Sequence, residues 1–131
     1  MIVLDTHTWI WWVSDPSKLS KKAKERIDLE MSTRSIYISS ISTWEIAMLI
    51  AKGRLVLNKP LERWLLLCER LPFLNFVPVD NAVAVKSVNL PGTLHPDPAD
   101  RIIISTSILM DATCITKDEK IRSYKHVSSL W

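Results

Sequence analysis

Glycine is scarce in this sequence, with 2 residues among 131. The Gly-rich loops that hold nucleotide phosphates, G-x-x-x-x-G-K and G-x-G-x-x-G, are therefore absent. Cysteine is equally rare: Cys68 and Cys114 stand apart in apolar segments and form no C-x-x-C pair, which argues against a zinc or redox site. We expect both to be buried, reduced thiols of a cytoplasmic protein.

Long apolar runs are missing too. No segment approaches the ~20 apolar residues that a membrane-spanning helix needs, and no basic lead-in before an apolar stretch marks a signal peptide. The hydrophobic content of 47% nevertheless indicates a folded protein, and 131 residues fit one hydrophobic core. We therefore expect a single domain over residues 1–131 without a membrane segment.

The charge balance is mildly basic, with a formal net charge of +3, which is compatible with a polyanionic partner. Lysine and arginine concentrate in two runs, one from Lys18 to Arg26 and the other from Lys117 to Lys125. Each run is either a solvated helix face or a contact surface for a polyanion. The sequence leaves both interpretations open.

Short apolar segments rich in β-branched residues alternate with helical patterns along the chain. The predicted strands are residues 2–4, residues 36–38, a third strand that lies between Pro72 and Pro78 within residues 73–79, residues 113–116, and a fifth that begins at Val127. The predicted helices are residues 6–13, 19–27, 42–52, 60–70, 81–88, 99–110 and 118–123. Several strands should be buried on both faces, which predicts an α/β fold of three layers, α/β/α, around a central, mostly parallel sheet of four to five strands.

Five carboxylates stand where an apolar segment ends or a helix should begin. They are Asp5, Glu45, Asp97, Asp100 and Asp118. Ligands of open α/β folds bind beyond the carboxyl ends of the strands, and acids gathered there repel one another unless a cation lies among them. Carboxylate oxygens suit Mg²⁺ or Mn²⁺ and not zinc. The joint position of the five acids therefore predicts a divalent-metal site.

Each of these acids also has an ordinary structural explanation. Three of them can cap the helix that follows: Asp5, Asp97 and Asp118. Ser42 and Glu45 match a capping box, and Asp100 suits the first turn of a helix because of the helix dipole. Singly, these explanations are at least as good as a metal site. Acids from four separate elements favour the metal site, and capping is compatible with it.

Four segments, in this order, resemble the motifs of PIN-domain nucleases, and most closely those of the VapC-type toxins of prokaryotic toxin–antitoxin pairs. They are Leu4-Asp5-Thr6-His7, Ser42-Thr43-Trp44-Glu45-Ile46-Ala47, His95-Pro96-Asp97-Pro98-Ala99-Asp100-Arg101 and Thr116-Lys117-Asp118. The resemblance covers essentially the whole chain. Many members have a basic residue where this chain has Pro96, a difference that alters the loop and removes no candidate ligand.

The resemblance implies a PIN-like fold and a Mg²⁺-dependent endoribonuclease, with Mn²⁺ as an alternative metal. The four acidic positions of the family correspond to Asp5, Glu45, Asp100 and Asp118. Asp97 matches an additional acid of some members, so that the implied metal ligands are Asp5, Asp97, Asp100 and Asp118. Thr6 and Thr116 are implied as supporting hydroxyls. The implied partners are an RNA substrate, a VapB-type antitoxin that covers the acidic site, and a second copy of the chain in a homodimer.

Three further residue types have open roles. Arg101 is either a phosphate clamp or the partner of an acid in an ion pair. His7 follows a strand end and either lines the site or packs on the surface, the latter being favoured. The tryptophans, including Trp9, Trp11 and Trp44, should be mostly core or interface residues, although one of them could stack on an RNA base.

Other functions remain open at this stage. A phosphoacceptor signalling domain also gathers acids at strand ends, but it needs an acidic pair after the first strand, where Asp5 stands alone. A non-catalytic RNA-binding module would gain nothing from five acids. A metal-dependent DNA nuclease of related fold is excluded by no feature of the sequence.

Overall fold

The computed structural model describes every residue from Met1 to Trp131. Five short strands, all paired in parallel, form one sheet in the order β3-β2-β1-β4-β5. The strands are β1 (Ile2–Leu4), β2 (Ile36–Ser39), β3 (Leu74–Val77), β4 (Thr113–Ile115) and β5 (Ser129–Leu130). This topology confirms the predicted α/β class with a parallel sheet of up to five strands.

Helices cover both faces of this sheet. They are α1 (Thr6–Ser14), α2 (Lys21–Ser32), α3 (Ser40–Ala51), α4 (Leu61–Glu69), α5 (Asn81–Val88), α6 (Pro98–Leu109) and α7 (Glu119–Arg122). A short 3-10 helix, Pro16–Lys18, follows α1. None of the helices is both long enough and apolar enough to span a bilayer.

The core has two parts because successive side chains of a strand point to opposite faces of the sheet. Ile2 and Leu4 of β1 belong to a large buried cluster with residues of α1, α2, α3 and α4. Val3, between them, belongs to a second cluster with Ile103 and Ile104 of α6. The predicted three layers are therefore present, and the two faces of β1 are buried equally.

The strand order creates one special position in the sheet. From β1 the chain continues to β2 and β3 on one side, and it later returns to β4 and β5 on the other. The carboxyl ends of β1 and β4, which are neighbours, thus flank the point where the strand order reverses. Parallel α/β sheets form their binding crevice at such a point. Asp5 directly follows β1, and Thr116 directly follows β4.

The predicted helix caps are correct at three of the acids. Asp5 caps α1 by accepting a hydrogen bond from the Thr8 amide at 2.8 Å. Asp97 caps α6 through the Asp100 amide at 3.0 Å, and Asp118 caps α7 through the Lys120 amide at 2.8 Å. All three carboxylates are therefore oriented by amides at a helix N-terminus.

The predicted capping box of α3 is wrong. The helix begins at Ser40, and Ser39 is its cap, with the Ser39 hydroxyl accepting from the Ile41 amide at 3.3 Å. Strand β2 runs directly into α3 without a loop, so no turn residue marks the boundary in the sequence. Ser42 is consequently buried within the first turn, and Glu45 lies in the second turn of the helix.

Other boundaries differ by a few residues. Strand β3 begins at Leu74, one residue after Phe73, and it ends at Val77, directly before Pro78 as predicted, since proline has no amide hydrogen for the ladder. The last strand begins at Ser129 and not at Val127. Pro60 precedes α4 as its cap residue and is not its first helical residue. Cys68 and Cys114 are buried free thiols, as predicted.

Candidate active site

A cavity of about 460 Å³ opens at the carboxyl ends of β1 and β4. Nine residues line it: Asp5, Thr6, His7, Trp11, Glu45, Asp97, Asp100, Lys117 and Asp118. All five acids singled out in the sequence therefore meet in one place, although they come from four separate elements. We call this cavity the acidic cavity.

Asp5 forms the floor of the acidic cavity and is only 8% exposed. One carboxylate oxygen accepts from the Thr8 amide, and the other accepts from the hydroxyl of buried Thr116. The same Thr116 oxygen accepts from the Asp118 amide at 3.0 Å. Thr116 thus connects Asp5 to the acid that begins α7. Burial raises the pKa of Asp5, and the hydrogen bonds from Thr116 and Thr8 oppose that shift only in part.

Glu45 reaches the cavity from α3 and is held by Thr6. The Thr6 hydroxyl donates to Glu45 Oε1 at 2.5 Å and lies 2.9 Å from the hydroxyl of Ser42. Partial burial raises the pKa of Glu45, and the negative charges of Asp100 and Asp97 raise it further. The Thr6 and Thr116 hydroxyls therefore both contact acids, as the resemblance implies.

Asp100 lies in the first turn of α6 and is half-buried. Burial raises its pKa, and the charges of Asp97 and Asp118 act in the same direction, while a hydrogen bond with His95 opposes them. One ligand atom from each of His95, Asp100 and Asp118 lies within 4.8 Å of the others. Carboxylates at such separations repel one another when they are ionised.

His95 is a contact that our sequence interpretation missed. Its Nε2 lies 2.6 Å from Asp100 Oδ2, while its Nδ1 is buried and has no hydrogen-bond partner. The ring therefore fixes one oxygen of Asp100. The only sequence signal was the position of His95 two residues before the helix cap Asp97, in a loop without periodicity.

Arg101 does not form an ion pair with an acid, which was one of its two predicted roles. Its guanidinium donates to the carbonyl of Ser87 at 2.8 Å and to the carbonyl of Leu94 at 3.4 Å. It contacts no acid and does not line the acidic cavity. Arg101 instead fastens the loop before α6 to the end of α5.

Aromatic and basic groups form the rim of the cavity. His7 is exposed and lines the cavity, contrary to the favoured prediction of surface packing alone. Its ring centroid is 5.7 Å from that of Trp11, and Lys117 Nζ is 5.8 Å from the Trp11 ring centroid. Trp9 is fully buried in the core, as predicted, whereas Trp44 is 55% exposed.

The donor set of the acidic cavity fits a hard divalent cation. Several carboxylates converge, at least three of them have raised pKa values, and no lysine or arginine forms an ion pair with any of them. An added cation would relieve both the desolvation and the mutual repulsion of these groups. Oxygen ligands of this kind match Mg²⁺ or Mn²⁺, while the two cysteines lie elsewhere.

Comparison with known proteins agrees with this description. Residues 2–127 match the PIN domain family. The chain is 33% identical over 126 residues to the ribonuclease VapC22 of Mycobacterium tuberculosis, a match that covers 95% of this chain and 92% of that protein.

Solved structures share the fold at lower identity. VapBC2 from Rickettsia felis, bound to a promoter DNA fragment, superposes with a TM-score of 0.71 at 19% identity, covering 99% of this chain and 98% of that one. FitAcB from Neisseria gonorrhoeae gives a TM-score of 0.65 at 23% identity, covering 100% and 97% of the two chains. The chain therefore belongs to the PIN domain family and, within it, to the VapC group.

Proposed function

We propose that this protein is a metal-dependent endoribonuclease, the toxin of a VapBC-type pair, with Mg²⁺ as its cofactor and Mn²⁺ as an alternative. One observation carries the proposal: five carboxylates from four elements line one cavity without an ion pair to lysine or arginine. The relative of 33% identity, itself a ribonuclease, supports RNA as the substrate. Family membership leaves the phosphoacceptor alternative without support, and the five carboxylates, which a non-catalytic RNA-binding PIN-like module would not need, favour catalysis over that alternative.

The proposed metal ligands are Asp5, Asp100 and Asp118, with Asp97 as a fourth or supporting acid. A bound divalent cation supplies Lewis-acid activation of water and neutralises charge that develops on the phosphate. Thr116 would keep Asp5 oriented toward a bound cation, and the His95 ring would hold Asp100 in place through its contact with Oδ2.

Glu45 has a separate part in the proposal. Thr6 occupies Oε1 of Glu45, which leaves Oε2 to accept a hydrogen bond from the attacking water. Burial and the charges of Asp100 and Asp97 raise the pKa of Glu45 in the metal-free protein, and a bound cation would oppose that shift.

The proposed partners follow from the same relatives. Solved neighbours include DNA-bound VapBC from Salmonella typhimurium and a toxin–antitoxin complex from Klebsiella pneumoniae, which supports a VapB-type antitoxin as the partner of this chain. We also propose a homodimer, for which exposed Trp44 on α3 offers apolar surface. Free, buried Cys68 and Cys114 agree with action in the cytoplasm.

The test is cleavage of purified cellular RNA with Mg²⁺ or with EDTA, by the wild type, by Asp5→Asn and by Asp28→Asn. Asp28 is an exposed acid of α2 outside the cavity, so its variant controls for the same chemical change. We expect cleavage by the wild type and by Asp28→Asn with Mg²⁺, and none with EDTA or by Asp5→Asn. Undiminished cleavage in EDTA would contradict the metal mechanism, and cleavage of single-stranded DNA alone would favour a DNA nuclease.

A further inference from the structure

A second cleft, of about 470 Å³, lies beside the acidic cavity, between the loop that precedes α6 and the segment that contains α7. Its lining includes His95, Lys120, Lys125 and His126, and it contains no carboxylate. We call it the basic cleft. A shallower depression joins it to the acidic cavity, since His95 and Lys120 line that depression together with Asp97, Asp100 and Asp118.

The lysines of the basic cleft form no ion pairs within the protein. Neither Lys120 nor Lys125 lies within 4.0 Å of a carboxylate oxygen. The other basic run behaves differently, because Lys21 pairs with Glu25 at 4.0 Å and Arg26 pairs with Glu30 at 2.8 Å along α2. The α2 run is thus a partly paired helix face, whereas the run near α7 presents free cations beside the candidate active site.

The wall of the basic cleft is fixed by close contacts. The buried Tyr124 hydroxyl donates to the carbonyl of Pro91 at 2.5 Å, which holds the loop against the end of α7. Gly92 has φ +68°, and a Cβ at this position would lie 3.3 Å from His126 Nε2. The exposed His126 ring can therefore approach the loop because residue 92 is glycine, which tolerates the left-handed backbone and adds no side chain.

We propose that the basic cleft binds single-stranded RNA next to the scissile bond, with Lys120 and Lys125 contacting backbone phosphates and the His126 ring contacting a base. The proposal rests on the proposed ribonuclease function and adds the path of the substrate to it. Proteins that bind single strands combine cations that follow the backbone with aromatic rings on which bases stack. A base that enters a cleft beside His126 must be free of a pairing partner, so duplex RNA does not satisfy this site.

The test measures binding and not turnover. Anisotropy of a 5′-fluorescein-labelled 12-nucleotide RNA, in EDTA, compares the wild type with the double variant Lys120→Gln/Lys125→Gln over a range of salt concentrations. The control is Lys21→Gln/Lys24→Gln, which removes the same two charges from exposed positions of α2 that line none of the three depressions. Thermal melts establish that all three proteins are folded.

Loss of two phosphate contacts should weaken binding on the order of 10-fold at 0.1 M salt and reduce the slope of log Kd against log salt by about 1.4, that is, ~0.7 for each contact. The control should keep the slope of the wild type. Equal losses in both double variants, or no loss in either, would overturn the inference. So would an equally large loss with duplex RNA of the same sequence.

The inference and the proposed function fail in different ways. If the wild type cleaves no RNA with Mg²⁺, the proposed ribonuclease function is contradicted whatever the binding data show. If the wild type cleaves RNA but the basic-cleft variant binds it as the wild type does, only the path of the substrate is wrong. The replacement His126→Ala, compared with His126→Phe, adds a second readout: the ring-retaining variant should bind the 12-nucleotide RNA more tightly, and equal weakening would contradict the base contact.

Discussion

Two buried carboxylates of this protein, Glu30 and Asp5, have different hydrogen-bond donors, and their pKa values shift in opposite directions. Glu30 on α2 is 6% exposed and Asp5 in the acidic cavity is 8% exposed, although Asp5 lies much deeper in the protein. Glu30 accepts hydrogen bonds from the N-terminal ammonium and from Arg26 Nε, each at 2.8 Å. Burial alone would raise the pKa of Glu30, but these two cationic donors outweigh it and lower the pKa. For Asp5, whose donors are uncharged, burial prevails and the pKa is raised.

Glu30 is therefore an acid that stabilises the fold, whereas the carboxylates of the acidic cavity have no cationic lysine or arginine partner within the protein. The chain supplies two cations to one isolated glutamate, although it supplies no lysine or arginine ion pair to five clustered acids. Burying a carboxylate without a cationic partner lowers the stability of the fold. Such groups are therefore typical of functional sites, where binding or catalysis requires them. A bound divalent cation is the requirement that fits the acidic cavity.

The largest expected difference between the two regions is in catalysis. Glu45→Gln and Glu30→Gln make the same chemical change, the first in the acidic cavity and the second on α2, outside that cavity. We expect Glu45→Gln to lower the rate of RNA cleavage ~10–100-fold, as is typical when a group that orients a metal site or its water is lost. Glu30→Gln should cleave at nearly the wild-type rate below its melting temperature. Equal rates for the two variants would remove the distinction.

The next largest effect is on stability, where Glu30→Gln should lose more than Glu45→Gln. Glu30→Gln removes a charge that two cationic donors contact, and we expect the free energy of unfolding to fall by about 1.5–3 kcal/mol. Glu45→Gln keeps an oxygen for the Thr6 hydroxyl and removes repulsion with Asp97 and Asp100, so without metal its stability should equal or exceed that of the wild type. Urea unfolding in EDTA measures both. A destabilised Glu45→Gln would indicate a structural role for this acid.

The smallest effect is the pH dependence of these differences, and its sign differs between the sites. Both glutamates start from an ordinary pKa of 4.5. The pKa of Glu30 is lowered by folding, so its contribution is complete above the ordinary value and is lost as the pH falls through the folded pKa. The pKa of Glu45 is raised, so in the metal-free protein ionised Glu45 costs stability increasingly as the pH rises through its folded pKa.

Melting temperatures in EDTA between pH 3 and pH 8 test these signs, because the pKa of Glu30 in the folded protein lies below its ordinary value of 4.5. The deficit of Glu30→Gln relative to the wild type should shrink toward the acid end of this range. The advantage of Glu45→Gln should be absent at the acid end and grow with rising pH. Parallel pH profiles for the two variants would show that the two carboxylates do not differ as the structure indicates.

Much of the fold could be predicted because its central strands β1, β2 and β4 are short and largely buried, a pattern with few alternatives. Residues 2–4 are such a strand, and Asp5 ends it visibly in the sequence. The passage from β2 into α3 could not be predicted, because Ser39 belongs to the strand and also caps the helix, with no turn residue between them. The start of the last strand at Ser129 depends on its pairing with β4, which local sequence does not record, whereas the end of β3 at Val77 follows from Pro78.

The site could be predicted where its residues lie at the end of a strand or at the start of a helix. Asp5 and Asp118 follow strands, and the Asp97 and Asp100 pair begins a helix, so a parallel sheet brings them to one edge. The positions of His95, Lys117 and Trp11 depend on a loop conformation and on side-chain packing across elements. For Arg101 the sequence suggested charged partners, but the structure uses its guanidinium for two main-chain carbonyls.

The central claim is that the acidic cavity binds a divalent cation, since no lysine or arginine of the protein forms an ion pair with its carboxylates. Its most direct test is a calorimetric titration of the metal-free protein with Mn²⁺ and with Mg²⁺, for the wild type, Glu30→Gln and Asp100→Asn. We expect the wild type and Glu30→Gln to bind with equal affinity and Asp100→Asn to bind more than ~10-fold more weakly. Binding by Asp100→Asn that equals that of the wild type, or no binding by the wild type at millimolar metal, would contradict the claim.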